Sequence, residues 1–309
     1  MKKINAHVLS SYVWIIFRTV LFAGLAFIII QPLLIKLSTS FKNVTDLYDA
    51  SVFLIPKNFT LYNYQRIISF FNYPARFMNS VMFGAACSML QIMSCTMVAY
   101  GISRFKFRGR GLILGMAVFT MVIPPQATLL SLFLQFKFFG PVTIFTLGTT
   151  LKGADLIGSP LPMILLSVFA VGFKNGLYIF MMRQYFKNLP KELEEAAYID
   201  GCGKFRTFIT IMLPGALSML GAIFLFAFVW QWNDYYYTMT LTPGMNIFTT
   251  ILPRIGDVIA FSDGILVGNM QNMLYDSAAM IMHIVPLLIL YLFTQKIFVQ
   301  SIERSGLVG

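Results

Sequence analysis

Six long apolar stretches dominate this chain and restrict it to one class of fold. A transmembrane helix needs about 20 mostly apolar residues to cross the hydrocarbon core of a bilayer. The stretches that reach this length cover residues 13–35, 77–100, 111–136, 158–183, 215–240 and 277–298. We therefore predict an all-α, polytopic membrane protein with six transmembrane helices in a single domain, residues 1–309.

The composition supports a membrane protein and argues against a nucleic-acid partner. Hydrophobic residues make up 58% of the chain and charged residues 11%, whereas soluble domains carry roughly 25% charged residues. The net charge of +11 has a simpler explanation than nucleic-acid binding, because Lys and Arg collect in the cytoplasmic loops of membrane proteins. We expect contact with membrane lipid and none with nucleic acid.

The distribution of Lys and Arg predicts that both termini are cytoplasmic. With the N-terminus inside, the segments predicted to be cytoplasmic carry 12 Lys and Arg, and the longer outside segments carry 8. The loop 101–110 contributes four of the 12 and favours this orientation most, whereas the first outside loop, 36–76, has five and opposes it. The N-terminus shows no cleavage pattern, which predicts a retained first span.

A charged segment, residues 184–214, separates the fourth and fifth stretches. Within it, residues 188–201 predict a short helix, with Pro190 in the first turn and acidic residues near the positive end of the helix dipole. Asp200-Gly201 predicts its end, with Gly201 in the left-handed conformation. A second short helix would follow from Lys204. The pattern alone allows an amphipathic helix at the lipid headgroups or a docking element.

The same segment carries a spaced signature. Glu195-Ala196-Ala197 is followed by Gly201 four residues after Ala197, and then by Ile211 and Leu213-Pro214. This pattern, EAA---G---------I-LP, resembles that of bacterial ABC importer permeases. Five further segments are similar to the carbohydrate-uptake branch and, within it, to the maltose-type second permease subunit: Phe59–Tyr64, Asn79-Ser80, Ala99–Arg110, Leu189–Glu195 and Trp232-Asn233.

The resemblance implies a type I ABC importer permease fold in which the segment is a coupling helix that docks on a cytosolic ATPase. Glu195 and Gly201 would be its central residues, Ala196 and Ala197 would form a close-packing face, and Asp200 would support the turn. The full set of implied coupling residues is Glu195, Ala196, Ala197, Asp200, Gly201, Leu213 and Pro214.

The resemblance also implies partners and a location. These are a second, homologous permease subunit in a heterodimer, two cytosolic ATPase subunits, an extracytoplasmic sugar-binding protein and an oligosaccharide substrate, in the bacterial cytoplasmic (inner) membrane. We expect a non-catalytic subunit that holds no cofactor or metal, with ATP and Mg bound by the ATPases. Gly203-Lys204 is followed by Phe205, where a phosphate-binding loop needs Ser or Thr.

Four residues could line a substrate pathway. Trp232, Asn233 and Asp234 lie in an aromatic segment that could stack on sugar rings and bind hydroxyls, although aromatic residues also collect at membrane interfaces regardless of substrate. Lys174 interrupts the fourth stretch. If it faced a cavity it could favour acidic oligosaccharides; otherwise it could reach the interface or pair with a group in the bundle or on the other permease subunit.

Two alternatives differ in cargo or in class. A permease of the same superfamily could carry peptides, amino acids or polyamines. A stand-alone secondary transporter would need ion-coupling carboxylates in the membrane, and Asp and Glu are almost absent from the predicted spans.

Overall fold

The helices follow the apolar stretches, but not always without a break. The computed structural model describes residues 6–140, 143–144, 149–150, 153–172, 174–264 and 270–304, with side chains over 12–140, 153–172, 174–264 and 270–296. The α-helices are α1 (Ala6–Ser40), α2 (Val44–Leu47), α3 (Tyr62–Phe71), α4 (Tyr73–Arg104), α5 (Arg110–Phe119), α6 (Pro125–Lys137), α7 (Leu161–Val168), α8 (Asn175–Asn188), α9 (Glu192–Ile199), α10 (Lys204–Thr207), α11 (Leu213–Gly215), α12 (Leu217–Asn233), α13 (Tyr236–Leu241), α14 (Phe248–Ile251), α15 (Ile255–Ser262) and α16 (Asn272–Arg304).

Other regular elements are short. A π-helical turn, Phe208–Met212, joins α10 to α11, and a 3₁₀ turn, Leu252–Arg254, precedes α15. Two two-residue strands, β1 (Thr143–Ile144) and β2 (Thr149–Thr150), pair antiparallel in the predicted outside loop 137–157. The all-α prediction of fold class is confirmed, with this hairpin as a minor addition.

Three of the predicted spans lie in continuous helices. Within the described residues, the helices long and apolar enough to cross a membrane are Tyr12–Ser40, Tyr73–Arg104 and Asn272–Lys296. Lys204–Gly215 and Leu217–Asn233 pass the same test only together, and the two parts are bent by 77°. A count of six spans stays a prediction, because the other stretches are divided.

The third predicted span, 111–136, is divided at two prolines. α5 ends at Phe119 and α6 begins at Pro125, with Pro124 in an extended conformation (φ −68°, ψ 141°) before it. Proline has no N–H for a helical hydrogen bond, and its ring disfavours a helical residue before it. The break therefore follows directly from the Pro124-Pro125 pair.

The fourth predicted span, 158–183, is divided between α7 and α8. Ala170 (φ 56°) and Lys174 (φ 67°) both adopt the left-handed conformation, which costs a residue other than glycine about 1–2 kcal/mol. Just after the break, Gly176 lies against α5 so closely that an added Cβ would overlap the carbonyl oxygen of Ala117. Only glycine fits this approach of two backbones.

The fifth predicted span, 215–240, is interrupted at Asp234. The Asp234 carboxylate accepts hydrogen bonds from the Tyr237 N–H (3.3 Å) and from the Thr238 N–H (2.9 Å) and hydroxyl (2.8 Å). A side chain that satisfies the free N–H groups at a helix start begins a new helix. α12 therefore ends at Asn233 and α13 begins at Tyr236.

The chain divides into two compact units, and the prediction of a single transmembrane domain stays a prediction. One unit comprises Met1–Tyr73 and Leu252–Val285. In it, the loop after α1 is tied together by the buried Lys42 ammonium, which donates to the carbonyls of Val52 (3.1 Å) and Phe53 (2.8 Å). Nearby, the Lys57 ammonium donates to the Asp49 carboxylate and lowers its pKa.

The other unit comprises Pro74–Ile251 and Pro286–Gly309 and contains the charged segment. Three rings form the part of its core that lies under this segment. The Tyr100 ring centroid is 5.5 Å from that of Phe186 and 4.7 Å from that of Phe208. These residues belong to α4, α8 and the π-helical turn, so the three elements that carry the charged segment share one aromatic core.

Candidate coupling site

The charged segment folds as two short helices, α9 and α10, joined at Gly201, and we call residues 192–207 the elbow. The predicted helix 188–201 is shorter than expected, because α8 continues to Asn188 and α9 begins only at Glu192. Pro190 is the reason: it forces Leu189 into an extended conformation (φ −71°, ψ 141°), which ends α8. Pro190 therefore precedes α9 instead of lying in its first turn.

The end of α9 forms the turn that the sequence predicts. Gly201 has φ +80°. The Gly201 N–H donates to the Tyr198 carbonyl (3.1 Å), and the Cys202 N–H donates to the Ala197 carbonyl (2.9 Å). This pair of bonds defines a Schellman motif, which satisfies the last carbonyls of a helix and requires a left-handed residue. The predicted left-handed conformation of Gly201 is confirmed.

The inner side of α9 is held by a buried carboxylate. Glu194 Oε2 lies 3.2 Å from Arg104 Nε, and these side chains are only 9% and 7% exposed. The Tyr100 hydroxyl donates to Glu194 Oε1 (2.7 Å), and Arg104 Nη2 donates to the Leu189 carbonyl (2.9 Å). Ala197, one turn further on, is 2% exposed. These contacts anchor α9 to the end of α4.

The outer side of α9 and its turn carry three of the seven signature residues, Glu195, Ala196 and Gly201. Glu195, Ala196 and Ile199 are exposed, Ile199 at 86%. Ala196 and Ala197 therefore do not share one packing face as expected, because consecutive helical residues are about 100° apart. Asp200 and Gly201 are exposed at the turn, so Glu195, Ala196, Ile199, Asp200 and Gly201 form one surface, which we call the outer face of the elbow.

The second half of the signature shapes the connection to α12. Leu213 is half-buried and Pro214 is exposed at the start of α11. The Leu213 N–H bonds to the Phe208 carbonyl, five residues back, and Pro214 has no N–H with which to continue the ladder. The Tyr185 hydroxyl donates to the Gly215 carbonyl (2.7 Å). Leu213-Pro214 thus lies immediately before the 77° bend into α12.

The four predicted substrate contacts do not form one site. Trp232 is 3% exposed and packs edge-on against Phe77, with ring centroids 5.9 Å apart. Asn233 is exposed, and its amide donates to the Val229 carbonyl (2.8 Å). Asp234 acts as the cap of α13.

Lys174 lies at the α7–α8 break, with its ammonium 4.6 Å from the centre of the Trp230 ring. Trp230 and Asp234 line a cavity of about 20 Å³, which is room for about one water and too small for a sugar ring.

Sequence reasoning missed Glu194 and Arg104, the ion pair that holds the elbow. The pair joins residues 90 positions apart, and the signature points to the neighbouring Glu195 instead. The available signals were weak: Arg104 is one of four basic residues in the loop 101–110, and Glu194 is one of three acidic residues in the first turn of α9.

Comparisons with known proteins find relatives over the full length of the chain. The chain is 30% identical over its full length to the full-length arabinooligosaccharides transport system permease protein AraQ of Halalkalibacterium halodurans. It is 26% identical to the maltodextrin transport system permease protein MdxG of Bacillus subtilis, again over the full length of both chains.

A solved structure and a family model match as well. A chain of the crystal structure of a bacterial ABC transporter involved in the import of the acidic polysaccharide alginate shares the fold, with a TM-score of 0.73 and 22% identity over 93% of this chain and 97% of that one. Residues 91–304 match the model of the family described as binding-protein-dependent transport system inner membrane component. This match includes α9, the Gly201 turn and Leu213-Pro214, and the chain belongs to that family of membrane components.

Proposed function

We propose that the chain is the membrane-spanning permease subunit of an ATP-driven importer of oligosaccharides. The observation that carries the proposal is the elbow itself, a Schellman turn that presents Glu195, Ala196 and Gly201 of the signature on its outer face. Family membership supports the importer class. The transport of arabinooligosaccharides and maltodextrin named for two full-length relatives supports oligosaccharides as cargo.

The outer face of the elbow is the surface on which a cytosolic ATPase subunit docks. Ala196 is small and lies between Glu195 and the exposed Ile199, so a partner surface can approach the helix closely there. Movement of the docked ATPase displaces α9. The Glu194–Arg104 pair passes that displacement to α4, and the bend at Leu213-Pro214 passes it to α12.

The other components of the transporter are partner proteins. A homologous permease completes a heterodimer, two ATPase subunits bind ATP and Mg and perform the hydrolysis, and an extracytoplasmic sugar-binding protein delivers the substrate. The permease itself is non-catalytic. Both termini lie on the cytoplasmic side, together with the elbow, as the Lys and Arg distribution predicts.

The test is sugar uptake and sugar-stimulated ATP hydrolysis by the whole transporter in proteoliposomes. Gly201→Ala should uncouple ATP hydrolysis from uptake, because a Cβ strains the left-handed turn. Gly203→Ala is the matched control, since Gly203 has φ −72° and an added Cβ meets nothing within 4 Å. Equal activity of the two variants would refute the coupling role. ATP-independent uptake by the chain alone would favour the stand-alone transporter.

A further inference from the structure

Two adjoining apolar hollows lie beside the elbow, where α4 ends. Each has a volume of about 320 Å³, and they share Met97, Phe205 and Phe208. We call the pair the α4–α10 groove. From the charged end to the apolar end, its main lining residues are Lys204, Gly101, Phe205, Phe208, Met97 and Met93.

The walls of this groove are apolar and unusually exposed. Phe205 is 67% exposed, Met93 63% and Met97 53%. A Cβ added to Gly101 would meet no atom within 4 Å, so the space above this glycine is open. One end of the groove lies beside the elbow, at the C-terminal end of a helix that is long and apolar enough to span the bilayer. We take this end to be at the membrane–water boundary.

The boundary end of the groove is positively charged. Lys204 lines it, with its ammonium 5.2 Å from the centre of the Phe105 ring. Lys106 follows Phe105 and Arg206 follows Phe205, and both are exposed. Among the residues that the structure describes, no carboxylate lines either hollow. Glu194, which lies beside Tyr100 in the wall, is already paired with Arg104.

A ligand that matches both ends has a hydrocarbon chain and an anionic head at the boundary. A helix of a partner protein would satisfy the apolar wall, but it would leave the cations without a counter-charge unless it also brought a carboxylate. Basic pockets between spanning helices on the cytoplasmic side bind anionic lipid headgroups. We propose that the α4–α10 groove binds one anionic phospholipid, with an acyl chain against Met97 and Phe208 and the phosphate at Lys204. The proposal depends neither on the cargo nor on the coupling role of the elbow.

The first test measures thermal stabilisation of the purified transporter in detergent by dioleoylphosphatidylglycerol and by dioleoylphosphatidylcholine. Phosphatidylglycerol should raise the Tm of the wild type more than phosphatidylcholine does. Gly101→Leu fills the groove and should abolish that difference. Gly115→Leu on α5 is the matched control, because its added Cβ also meets nothing within 4 Å, and it should keep the difference. Lys204→Glu should abolish the difference, whereas Lys187→Glu, at an exposed lysine outside the groove, should not.

Two outcomes would overturn the proposal. One is an equal Tm shift with both lipids, or a phosphatidylglycerol shift that survives in Gly101→Leu. The other concerns the competing occupant. A photoreactive side chain placed at residue 101 should give an adduct with the mass of a phospholipid in native membranes. An adduct with the second permease subunit would assign the groove to a protein interface instead.

Discussion

Glu194 and Glu195 are neighbours on one helix and have opposite surroundings. Glu194 points inward, paired with Arg104 and hydrogen-bonded by Tyr100, whereas Glu195 is exposed on the outer face. One step along a helix turns the side chain by about 100°, which is enough to separate an anchoring residue from a residue of the proposed docking surface. The signature names only the second of them. The signature therefore includes a residue of the proposed docking surface, and the structure is needed to find what keeps that surface in place.

The largest expected effect comes from removing the anchor. Glu194→Ala leaves the Arg104 guanidinium buried without its counter-charge, which costs about 3–5 kcal/mol. The apparent Tm of the purified transporter in detergent should fall accordingly, whereas Glu192→Ala, at an exposed position of the same helix, should leave it unchanged. Glu194→Leu combined with Arg104→Met should recover much of the loss. Equal Tm values for Glu194→Ala and Glu192→Ala would contradict the anchoring role.

Tyr100→Phe should have the next largest effect, because it removes one hydrogen bond to a buried carboxylate and leaves the ring in place. A hydrogen bond to a charged group contributes about 1.5–3 kcal/mol. The Tm should fall by less than in Glu194→Ala, and the two substitutions together should cost less than their sum. Strict additivity in this double-mutant cycle would mean that the two groups do not interact.

Gly201→Ala should cost about 1–2 kcal/mol, the penalty for a left-handed residue with a Cβ. The loss should be local to the elbow, so amide hydrogen exchange should increase over α9 and the turn but not over α4. Gly203→Ala, at a negative φ, provides the baseline. Unchanged exchange in Gly201→Ala would show that the turn tolerates the strain.

Glu195→Lys should have the smallest effect on stability and a large effect on function. The side chain is exposed and the Tm should not change. If the outer face docks an ATPase, sugar-stimulated ATP hydrolysis and ATPase association should be lost. Retention of both activities would show that the exposed side of α9 has no role in coupling. The proposed difference in role between Glu194 and Glu195 would then be wrong.

Patterns within short stretches of the sequence predicted those structural features that depend on residues close together in the chain. The all-α class, the continuous helices behind three of the stretches and the left-handed Gly201 all depend on hydropathy or on turn chemistry within a few residues. The Glu194–Arg104 pair joins segments 90 residues apart, and no spacing within one sequence brings those segments together. The breaks at Ala170 and at Asp234 were missed because their stretches are apolar enough to predict uninterrupted helices.

The predicted sugar contacts depended on residue type alone. The polar and aromatic character of Trp232, Asn233 and Asp234 predicted sugar contacts, but Trp232 is buried against Phe77 and Asp234 caps a helix. These residue types serve packing and capping as readily as binding. A sugar contact at Trp232, Asn233, Asp234 or Lys174 stays a prediction.

The backbone contact between Gly176 and Ala117 determines where this unit can bend. With no side chain between them, α5 and α8 touch along their main chains, and neither can slide without a collision. If α5 and α8 keep this contact, a motion that starts at the elbow carries the two helices together. The pivots are then the two gaps beside the contact, residues 120–124 and 169–174, of which the described part of the second holds two non-glycine residues in the left-handed conformation. In that case the helix breaks, and not the helices between them, are where we expect the shape to change.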